Sequence, residues 1–345
     1  MCNFDFETEY YSPQLSRFYY AISNTSQILT VVLFPVLIYL ILKKSKTLNK
    51  YKYYMLIHTV TSFFFTSLIW LLKPMPIFQK YALAGCGPLI YFENRVLGFV
   101  IFVFLISCWV NASISFSMSI IYRAFAPFPG KLQKFCDNSL GYLIFIACVV
   151  ILFHVLVVTP IALCYTSEST TIKFVQEYFP EMAFFQSKTI YFQLPPIKLA
   201  DYFCLNIIVL YSMYYVFGII IYCIFTLKVI KYTKVSSSAE LVRLQKMFFK
   251  TITIQGIVEV ILVITPAYIM ALTFYFQSRY VSQIAMTAIM VCSLQAWINY
   301  VSVIYNITPY RKTVKKWFLF LVFKGKSSWK GIPKHSVVSI IPSVR

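Results

Sequence analysis

The sequence has few charged residues, and the acidic ones are the scarcest. Only 12% of its 345 residues are charged, and Asp and Glu together number 11, against 31 Lys and Arg. Water-soluble domains are roughly 25% charged. Because 59% of the residues are hydrophobic and the mean hydropathy is +0.73, a soluble fold could not cover its apolar side chains. The composition excludes an ordinary soluble protein and predicts an integral membrane protein.

Glycine and histidine are also scarce, with nine and three residues. The histidines, His58, His154 and His335, lie in distant segments, and no HExxH pattern, glycine-rich phosphate loop or Cys/His pair at metal spacing is present. We therefore expect no enzyme activity, no catalytic residues, no metal and no cofactor. Secondary transporters commonly contain internal repeats with Gly/Pro-interrupted helices at matching positions. The sequence shows no such repeat.

Long apolar runs, in contrast, are abundant. Seven windows of about 20 apolar residues predict membrane-spanning helices. They cover about 19–42, 53–72, 97–122, 139–164, 202–227, 251–276 and 283–305. The predicted fold class is an all-α membrane protein with a seven-transmembrane helix bundle. Residues 1–18 form an extracellular N-terminus, 19–305 the receptor-like bundle and 306–345 a basic cytoplasmic tail.

The orientation follows from the distribution of charge between the loops. The three loops after the odd-numbered spans, together with the tail, hold 23 of the 31 Lys and Arg residues, whereas 8 of the 11 acidic residues lie on the opposite side. Since basic residues near span ends stay in the cytoplasm, the N-terminus is predicted outside and the tail inside. The basic side predicts contact with anionic inner-leaflet lipid and acidic cytosolic proteins, and no nucleic acid.

The stretch NITPYRKTVKKWFLF, residues 306–320, marks the exit of the seventh span. Pro309 lacks a backbone N–H and disfavours continuation of the helix, and Tyr310 and Arg311 follow it. The chain then predicts a short amphipathic helix on the inner leaflet. Its basic face would carry Lys312, Lys315 and Lys316, and its apolar face Val314, Trp317, Phe318 and Leu321. The alternative is a disordered basic tail.

Glu259 is the only acidic residue inside a predicted span. A charge at this depth is unfavourable by about 3 kcal/mol or more, so the side chain should face the bundle interior or be protonated. Asn111, Trp297 and Asn299 fall at similar depth, which suggests a polar switch layer. A purely structural hydrogen-bonded acid remains the alternative. Arg123, at the inner end of the third span, is either a coupling residue or an ordinary interfacial arginine.

A ligand cavity is predicted in the outer half of the bundle. The aromatic composition favours a small, mostly apolar ligand, although each individual ring is as compatible with simple packing. The candidate residues are Tyr211, Tyr214, Tyr215, Tyr268, Thr273, Thr287 and His154. Cys86 and Cys164 both fall on the predicted outer side. They are either a disulfide between two outer loops or two unpaired thiols.

Four segments stand in a characteristic order along the chain: YYMLIHTVTSFFFTSL, KPMPIFQKYALAG, SIIYRAF and SLQAWINYVSVIYNITPYRK. Together they resemble the nematode serpentine chemoreceptors of the Str superfamily, most closely its class H and class I branch. The second span, YYMLIHTVTSFFFTSL, contains His58, and KPMPIFQKYALAG (73–85) matches a proline-rich outer turn with Leu-Ala-Gly. SIIYRAF places Arg123 at an Asn-Arg-Tyr-like position. SLQAWINYVSVIYNITPYRK ends on the Pro-Tyr-Arg exit motif of Pro309, Tyr310 and Arg311. The sequence departs from the family at Tyr122 and Gln295, and it lacks the usual acid in the second span.

Seven helices with an outer N-terminus suit a G-protein-coupled receptor, because a bundle with two packings can respond to a ligand that prefers one of them. The resemblance implies a chemosensory receptor of the plasma membrane, in the cilium of a sensory neuron. It also implies coupling to a heterotrimeric G protein and an unknown small-molecule ligand, as in olfaction. A seven-helix ligand-gated channel or a secondary transporter remains the alternative.

Overall fold

The computed structural model describes residues 13–44, 51–77, 82–92, 94–125, 139–163, 165, 167–178, 190–193, 239–276, 278 and 280–323, and parts of 205–227. Six helices in this part are long and apolar enough to cross a membrane: Gln14–Lys44, Lys52–Leu72, Arg95–Tyr122, Leu143–Ala162, Phe249–Tyr275 and Val281–Asn306. They confirm six of the seven predicted spans to within roughly one or two helical turns.

The first half of the chain forms four long helices. These are α1 (Pro13–Lys44), α2 (Tyr51–Leu72), α3 (Arg95–Phe125) and α4, which comprises Ser139–Phe153, a π-helical turn His154–Val158 and Thr159–Ala162. Between α2 and α3 lie strands β1 (Pro74–Ile77) and β2 (Ala82–Gly85) and a 3-10 helix, Pro88–Phe92. Helix α1 begins at a proline. Proline suits the first helical position because a backbone N–H there would have no partner within the helix, so its absence loses no hydrogen bond.

The second half begins with helix α5 (Glu168–Tyr178) and strand β3 (Ile190–Gln193) in the loop after α4. Helix α6 comprises Ala239–Glu259, a π-helical turn Val260–Ile264 and Thr265–Tyr275. Helix α7 consists of Val281–Ser293 and Gln295–Asn306, and α8 is Thr308–Phe323. The fifth predicted span, 202–227, is helical where it is described and otherwise stays a prediction.

Two groups of buried apolar side chains hold the helices together. One lies between α2, α3 and α6 and includes Phe65, Trp109 and Val263. The other joins α1, α7 and α8 and includes Leu37 and Tyr310. Many other large apolar residues, particularly on α1 and α4, are exposed, as expected for a bundle whose outer face meets lipid.

A Thr-Pro pair follows each π-helical turn. In α4 the N–H of Thr159 donates to the carbonyl of His154, and in α6 the N–H of Thr265 donates to the carbonyl of Val260. Both bonds span five residues and therefore insert one extra residue into the helix. Helices α4 and α6 therefore share the same feature, a π-helical turn directly before a Thr-Pro pair.

Pro160 removes a backbone donor from α4, and the fold supplies a replacement. Leu156, four residues earlier, would accept that N–H in a regular helix. In this structure its carbonyl accepts a hydrogen bond from Nδ2 of Asn206, 2.9 Å away. The proline therefore creates a polar attachment point in α4 for the fifth predicted span.

A three-stranded antiparallel sheet, ordered β1-β2-β3, lies at the end of α2. The sequence analysis expected a proline-rich turn at 73–85 and no sheet. Pro74 and Pro76 are compatible with β1 because this is an edge strand, where a proline removes no ladder bond. Pairing with β3, more than 100 residues away in sequence, could not be seen from local patterns.

The connection from α2 into the sheet is tight. Lys73 has a left-handed φ of 41°, a conformation that is unfavourable by roughly 1 kcal/mol for a residue with a Cβ. The N–H of Gly87 donates to the carbonyl of Leu72 at 2.9 Å. A Cβ added to Gly87 would lie 2.1 Å from the carbonyl oxygen of Leu71, so glycine is required at this crossing.

Lys73 is buried where α1, α2 and the sheet meet. Its Nζ donates to Oδ1 of Asn24 at 2.8 Å, and the indole N–H of Trp70 donates to the same oxygen at 3.0 Å. The ammonium group also lies 4.5 Å from the centre of the Tyr20 ring. Burial lowers the pKa of Lys73 from its ordinary value, since removal from water disfavours the charged form.

We expect Asn24→Ala to lower the free energy of unfolding by about 2 kcal/mol, because it removes the acceptor of one charged and one neutral donor. Thermal unfolding of the purified protein in detergent measures this loss. Asn306→Ala is the matched control, since the Asn306 amide donates to Ser302 within its own helix. Equal stability of the two variants would contradict the prediction.

The amphipathic helix predicted after the seventh span is confirmed as α8. Helix α7 ends at Asn306 and the break falls at Ile307, whose ψ of 106° is extended, so Pro309 lies just inside the new helix. Val314 and Trp317 pack against the cluster of α1 and α7. Phe318, predicted on the same apolar face, is 64% exposed, because helical spacing turns it past the contact with α1, and this leaves its ring available to the lipid.

Candidate switch layer

Six polar side chains form a buried layer in which α2, α6 and α7 each contribute two residues. On each helix the two are four positions apart, so they lie one turn apart on the same face. We call the set nearer the sheet the upper tier and the set nearer α8 the lower tier. The upper tier consists of Ser62, Glu259 and Gln295, and the lower tier of His58, Gln255 and Asn299.

The upper tier is centred on Gln295. Its Nε2 donates to Oε2 of Glu259 and to Oγ of Ser62, both at 3.1 Å. Glu259 and Gln295 are completely buried. Among the described residues, neither Oε1 of Glu259 nor Oε1 of Gln295 has a hydrogen-bond partner. One amide thus joins three helices while two acceptor oxygens beside it remain unsatisfied.

The lower tier is centred on Asn299. Its Nδ2 lies 2.7 Å from Nε2 of His58, and its Oδ1 accepts from Nε2 of Gln255 at 3.4 Å. Nδ1 of His58 lies 3.2 Å from the carbonyl of Ala112 on α3. Because a carbonyl can only accept, the ring carries its proton on Nδ1 and accepts at Nε2. This bond extends the lower tier to a fourth helix.

Backbone attachments fix α7 beside the layer. The Tyr300 hydroxyl donates to the carbonyl of Thr59 on α2 at 2.8 Å, and the Ser26 hydroxyl on α1 donates to the carbonyl of Ser293. A cavity of about 10 Å³ borders His58 and Asn299. This is the space of about one water molecule, so the lower tier is closely packed.

Two of the predicted switch residues, Glu259 and Asn299, lie in this layer. The other two do not. Trp297 is two residues from Asn299, which turns it roughly 200° around the helix, and it borders a groove against α1. Asn111 contacts a different partner, since its Nδ2 lies 3.4 Å from Nε2 of His154. The grouping of Trp297 and Asn111 with Glu259 is therefore corrected.

His154, predicted as a ligand residue, joins α4 to α3. Its Nε2 lies 3.0 Å from the hydroxyl of Ser107, and its Nδ1 lies 2.8 Å from the carbonyl of Val150. Tyr268 is half-buried, with its hydroxyl 3.4 Å from that of Ser212 in the fifth predicted span. These two side chains present polar groups toward neighbouring helices in the part of the bundle where the cavity was expected.

The other ligand candidates are placed less favourably or lie outside the described part. Thr273 and Thr287 donate their hydroxyls to carbonyls of their own helices. Thr273 is half-buried and Thr287 is exposed. Tyr211, Tyr214 and Tyr215 lie outside the described residues. A cavity of about 410 Å³, bordered by α1 and α7, includes none of these candidates.

Some of the remaining predicted residues lie in the described part of the chain and others lie outside it. Arg123 belongs to α3, but its side chain lies outside the described part. Of the exit motif, Pro309 is exposed, Tyr310 is completely buried, and the Arg311 guanidinium lies 5.5 Å from the Tyr305 ring centre. Tyr310 therefore anchors α8.

Cys86 is buried beside the sheet, whereas Cys164 lies outside the described residues, so their disulfide stays a prediction.

Four members of the layer were not predicted as switch residues: His58, Ser62, Gln255 and Gln295. A signal for them was present, because the polar residues of each of the three spans α2, α6 and α7 include one pair at a spacing of four. That spacing puts both on one face, and polar side chains within a membrane face the bundle interior. Comparing the polar faces of the three spans would have identified the layer.

A model of one protein family matches residues 4–314, and its description is serpentine type 7TM GPCR chemoreceptor Sri. The chain belongs to the Sri family. The match covers every described helix except the end of α8 and supports a nematode serpentine chemoreceptor, a membrane receptor with a GPCR-type bundle. Placement of this Sri-family chain in the class H and class I branch of the Str superfamily stays an inference.

No curated protein matches the chain with significance. The Sri family is a receptor family and not a class of enzymes, and neither the channel nor the transporter alternative is favoured by it. Six membrane-spanning helices in the described part agree with a multi-pass membrane protein.

Proposed function

We propose that this Sri-family receptor binds a small, mostly apolar molecule and in response activates a heterotrimeric G protein. Its N-terminus lies outside and its basic loops lie in the cytoplasm, at the plasma membrane of a sensory cilium. The observation that carries the proposal is the two-tier polar layer, which connects α2, α6 and α7. Helices held by few, directional bonds can exchange one packing for another, and a ligand that prefers one packing shifts the balance.

The unsatisfied oxygens of the upper tier favour such an exchange. A buried acceptor without a donor is unfavourable by about 1–3 kcal/mol, and Glu259 and Gln295 each carry one. A proton on Oε1 of Glu259 would provide the missing donor, because a carboxylic acid and a primary amide can exchange two hydrogen bonds. A packing that brings Oε1 of Glu259 to Oε1 of Gln295 therefore competes with the one described.

The ligand site is proposed between α3, α4, α6 and the fifth span. His154 and Tyr268 would border it, and each already directs a polar group toward a neighbouring helix. Movement there is transmitted along α6, whose π-helical turn directly follows Glu259. Tyr268 and Glu259 both lie on α6. A ligand that moves the Tyr268 end of α6 inward would therefore also displace Glu259 in the upper tier.

The coupling surface is proposed at the opposite end, where Arg123 lies in the last turn of α3. We expect Arg123→Ala to reach the cell surface normally and to lose G-protein activation, because the G protein is contacted there in the active packing. A screen of small apolar compounds on expressing cells, read by calcium or cyclic nucleotide, supplies an agonist. Agonist-dependent nucleotide exchange on a purified Gα subunit then measures the variant.

Lys43→Ala is the matched control, since it removes one positive charge from the same end of the bundle, on α1. Normal exchange with Arg123→Ala would refute the assigned role of Arg123. An ion current or substrate uptake that is independent of any Gα subunit would instead favour the channel or transporter.

A further inference from the structure

A groove with a volume of about 360 Å³ lies between the last turns of α1 and the first turns of α8. Three of the side chains that line it are lysines. Lys44 ends α1, and Lys312 and Lys316 are one turn apart on α8. Tyr39, Thr313 and Trp317 complete the lining. The volume falls at the lower end of the range for small-molecule sites, roughly 300–1,000 Å³.

The lysines of this groove are not neutralised by the part of the chain that the structure describes. The described part of the chain places no carboxylate in ion-pair contact with these lysines. In the full sequence, the predicted cytoplasmic loops and tail hold only two acidic side chains, Asp137 and Glu240. Three ammonium groups that converge from two helices repel one another, so an anion of more than one charge would stabilise this arrangement.

The walls of the groove are anchored and lie where lipid headgroups are expected. The rings of Trp317 and Tyr39 are in contact, with centroids 5.2 Å apart, and Trp317 packs on the same cluster that completely buries Tyr310. Trp and Tyr favour the boundary between headgroups and acyl chains. Phe318 and Leu319, next to Lys316, are exposed apolar residues, suited to contact with acyl chains.

We propose that this groove binds the headgroup of an inner-leaflet inositol lipid that carries phosphate monoesters. Compact ammonium groups are effective phosphate binders, and phosphate monoesters supply the several negative charges that three lysines require. The Thr313 hydroxyl donates to Pro309 and still has a lone pair that can accept from an inositol hydroxyl. A bound headgroup would bridge α1 and α8 and hold α8 against the bundle.

Two charge-matched double variants of the full chain test the groove. Lys44→Gln with Lys316→Gln removes two groove lysines, whereas Lys43→Gln with Lys315→Gln removes their exposed sequence neighbours on the same helices. The receptor is purified in detergent and titrated with a fluorescent short-chain phosphatidylinositol bisphosphate. We expect the groove variant to bind about thirtyfold more weakly, roughly fivefold for each lysine, and the control variant to bind within about threefold of the unaltered receptor.

Equal losses in both variants would overturn the proposal, because they would indicate general surface charge. Phosphatidylserine of the same chain length binding as tightly would overturn the requirement for phosphate monoesters. Soluble inositol trisphosphate competing with equal affinity would overturn the assignment to a lipid. If the groove double variant does not fold, Lys316→Gln against Lys315→Gln makes the same comparison with about a fivefold difference. Because binding is the readout, the result is independent of signalling.

Discussion

Gly87→Ala is expected to prevent the sheet end of the receptor from assembling, with a loss of at least about 3 kcal/mol in unfolding free energy. Overpacking a well-packed site commonly costs about 1–3 kcal/mol, and this site is more restrictive. The new methyl carbon would lie 2.1 Å from the carbonyl oxygen and 2.6 Å from the carbonyl carbon of Leu71. Both atoms belong to a helix backbone, which cannot rotate aside as a side chain can.

The displaced segment would lose further bonds. Gly87 donates to Leu72, and Cys86 donates to Lys73 at 3.3 Å and accepts from the Tyr20 hydroxyl at 3.2 Å. Unfolding temperature and the yield of monodisperse protein measure the effect. Gly256→Ala is the matched control, because its methyl would lie an ordinary 3.7 Å from the Phe116 ring and alanine favours a helix interior. Comparable yields of the two variants would contradict the assigned crossing.

Gln295→Leu is expected to lower the unfolding free energy by about 3 kcal/mol, because it leaves Glu259 buried without any of the hydrogen bonds described. Gln295 also donates to Ser62, so the substitution removes one hydrogen bond from α7 to each of two neighbouring helices. Adding Glu259→Leu should recover part of the loss, since two apolar side chains can replace a buried polar pair. The double variant is therefore expected to be more stable than Gln295→Leu alone, as measured by thermal or denaturant unfolding.

Additive losses in this cycle would show that Glu259 and Gln295 do not interact. Glu259→Gln separates a switch role from a structural one. It keeps the shape of the protonated acid, so we expect near-normal folding with altered basal nucleotide exchange. Normal basal exchange in Glu259→Gln, together with a lowered folding yield in Glu259→Leu, would leave Glu259 a purely structural residue.

The membrane helices could be predicted from the sequence because lipid imposes a simple requirement. A span must be about 20 residues long and apolar, and α1, α2 and α3 satisfy this requirement plainly, whereas α7 is the most polar of the predicted spans. The break before α8 was also predictable, since Pro309 and the basic residues after it interrupt an apolar run. Its displacement to Ile307 reflects the fact that proline is tolerated in the first turn of the new helix.

The sheet and the composition of the switch layer could not be predicted in the same way. Pairing of β2 with β3 depends on two loops meeting in space, which no local spacing encodes. Depth along the membrane selected Glu259 and Asn299, which the structure places in one layer, but it says nothing about direction around a helix. Trp297 was therefore grouped with them although it faces α1. The angular position of each side chain, and not its depth, decides which residues share a layer.

The π-helical turn of α6 has a consequence for engineering this helix. The wide turn takes up one extra residue, so every residue beyond it lies roughly 100° from the direction that regular winding would give, and Gln255 and Tyr268 belong to two different helical wheels. Their relative direction cannot be obtained by counting turns across Val260–Ile264. Deleting a single residue there would restore regular winding and leave Tyr268 directed toward Ser212, because the wide turn already absorbs the extra residue, whereas a deletion elsewhere in α6 would turn Tyr268 away. This short segment is therefore the reference point for the orientation of the half of α6 that follows it.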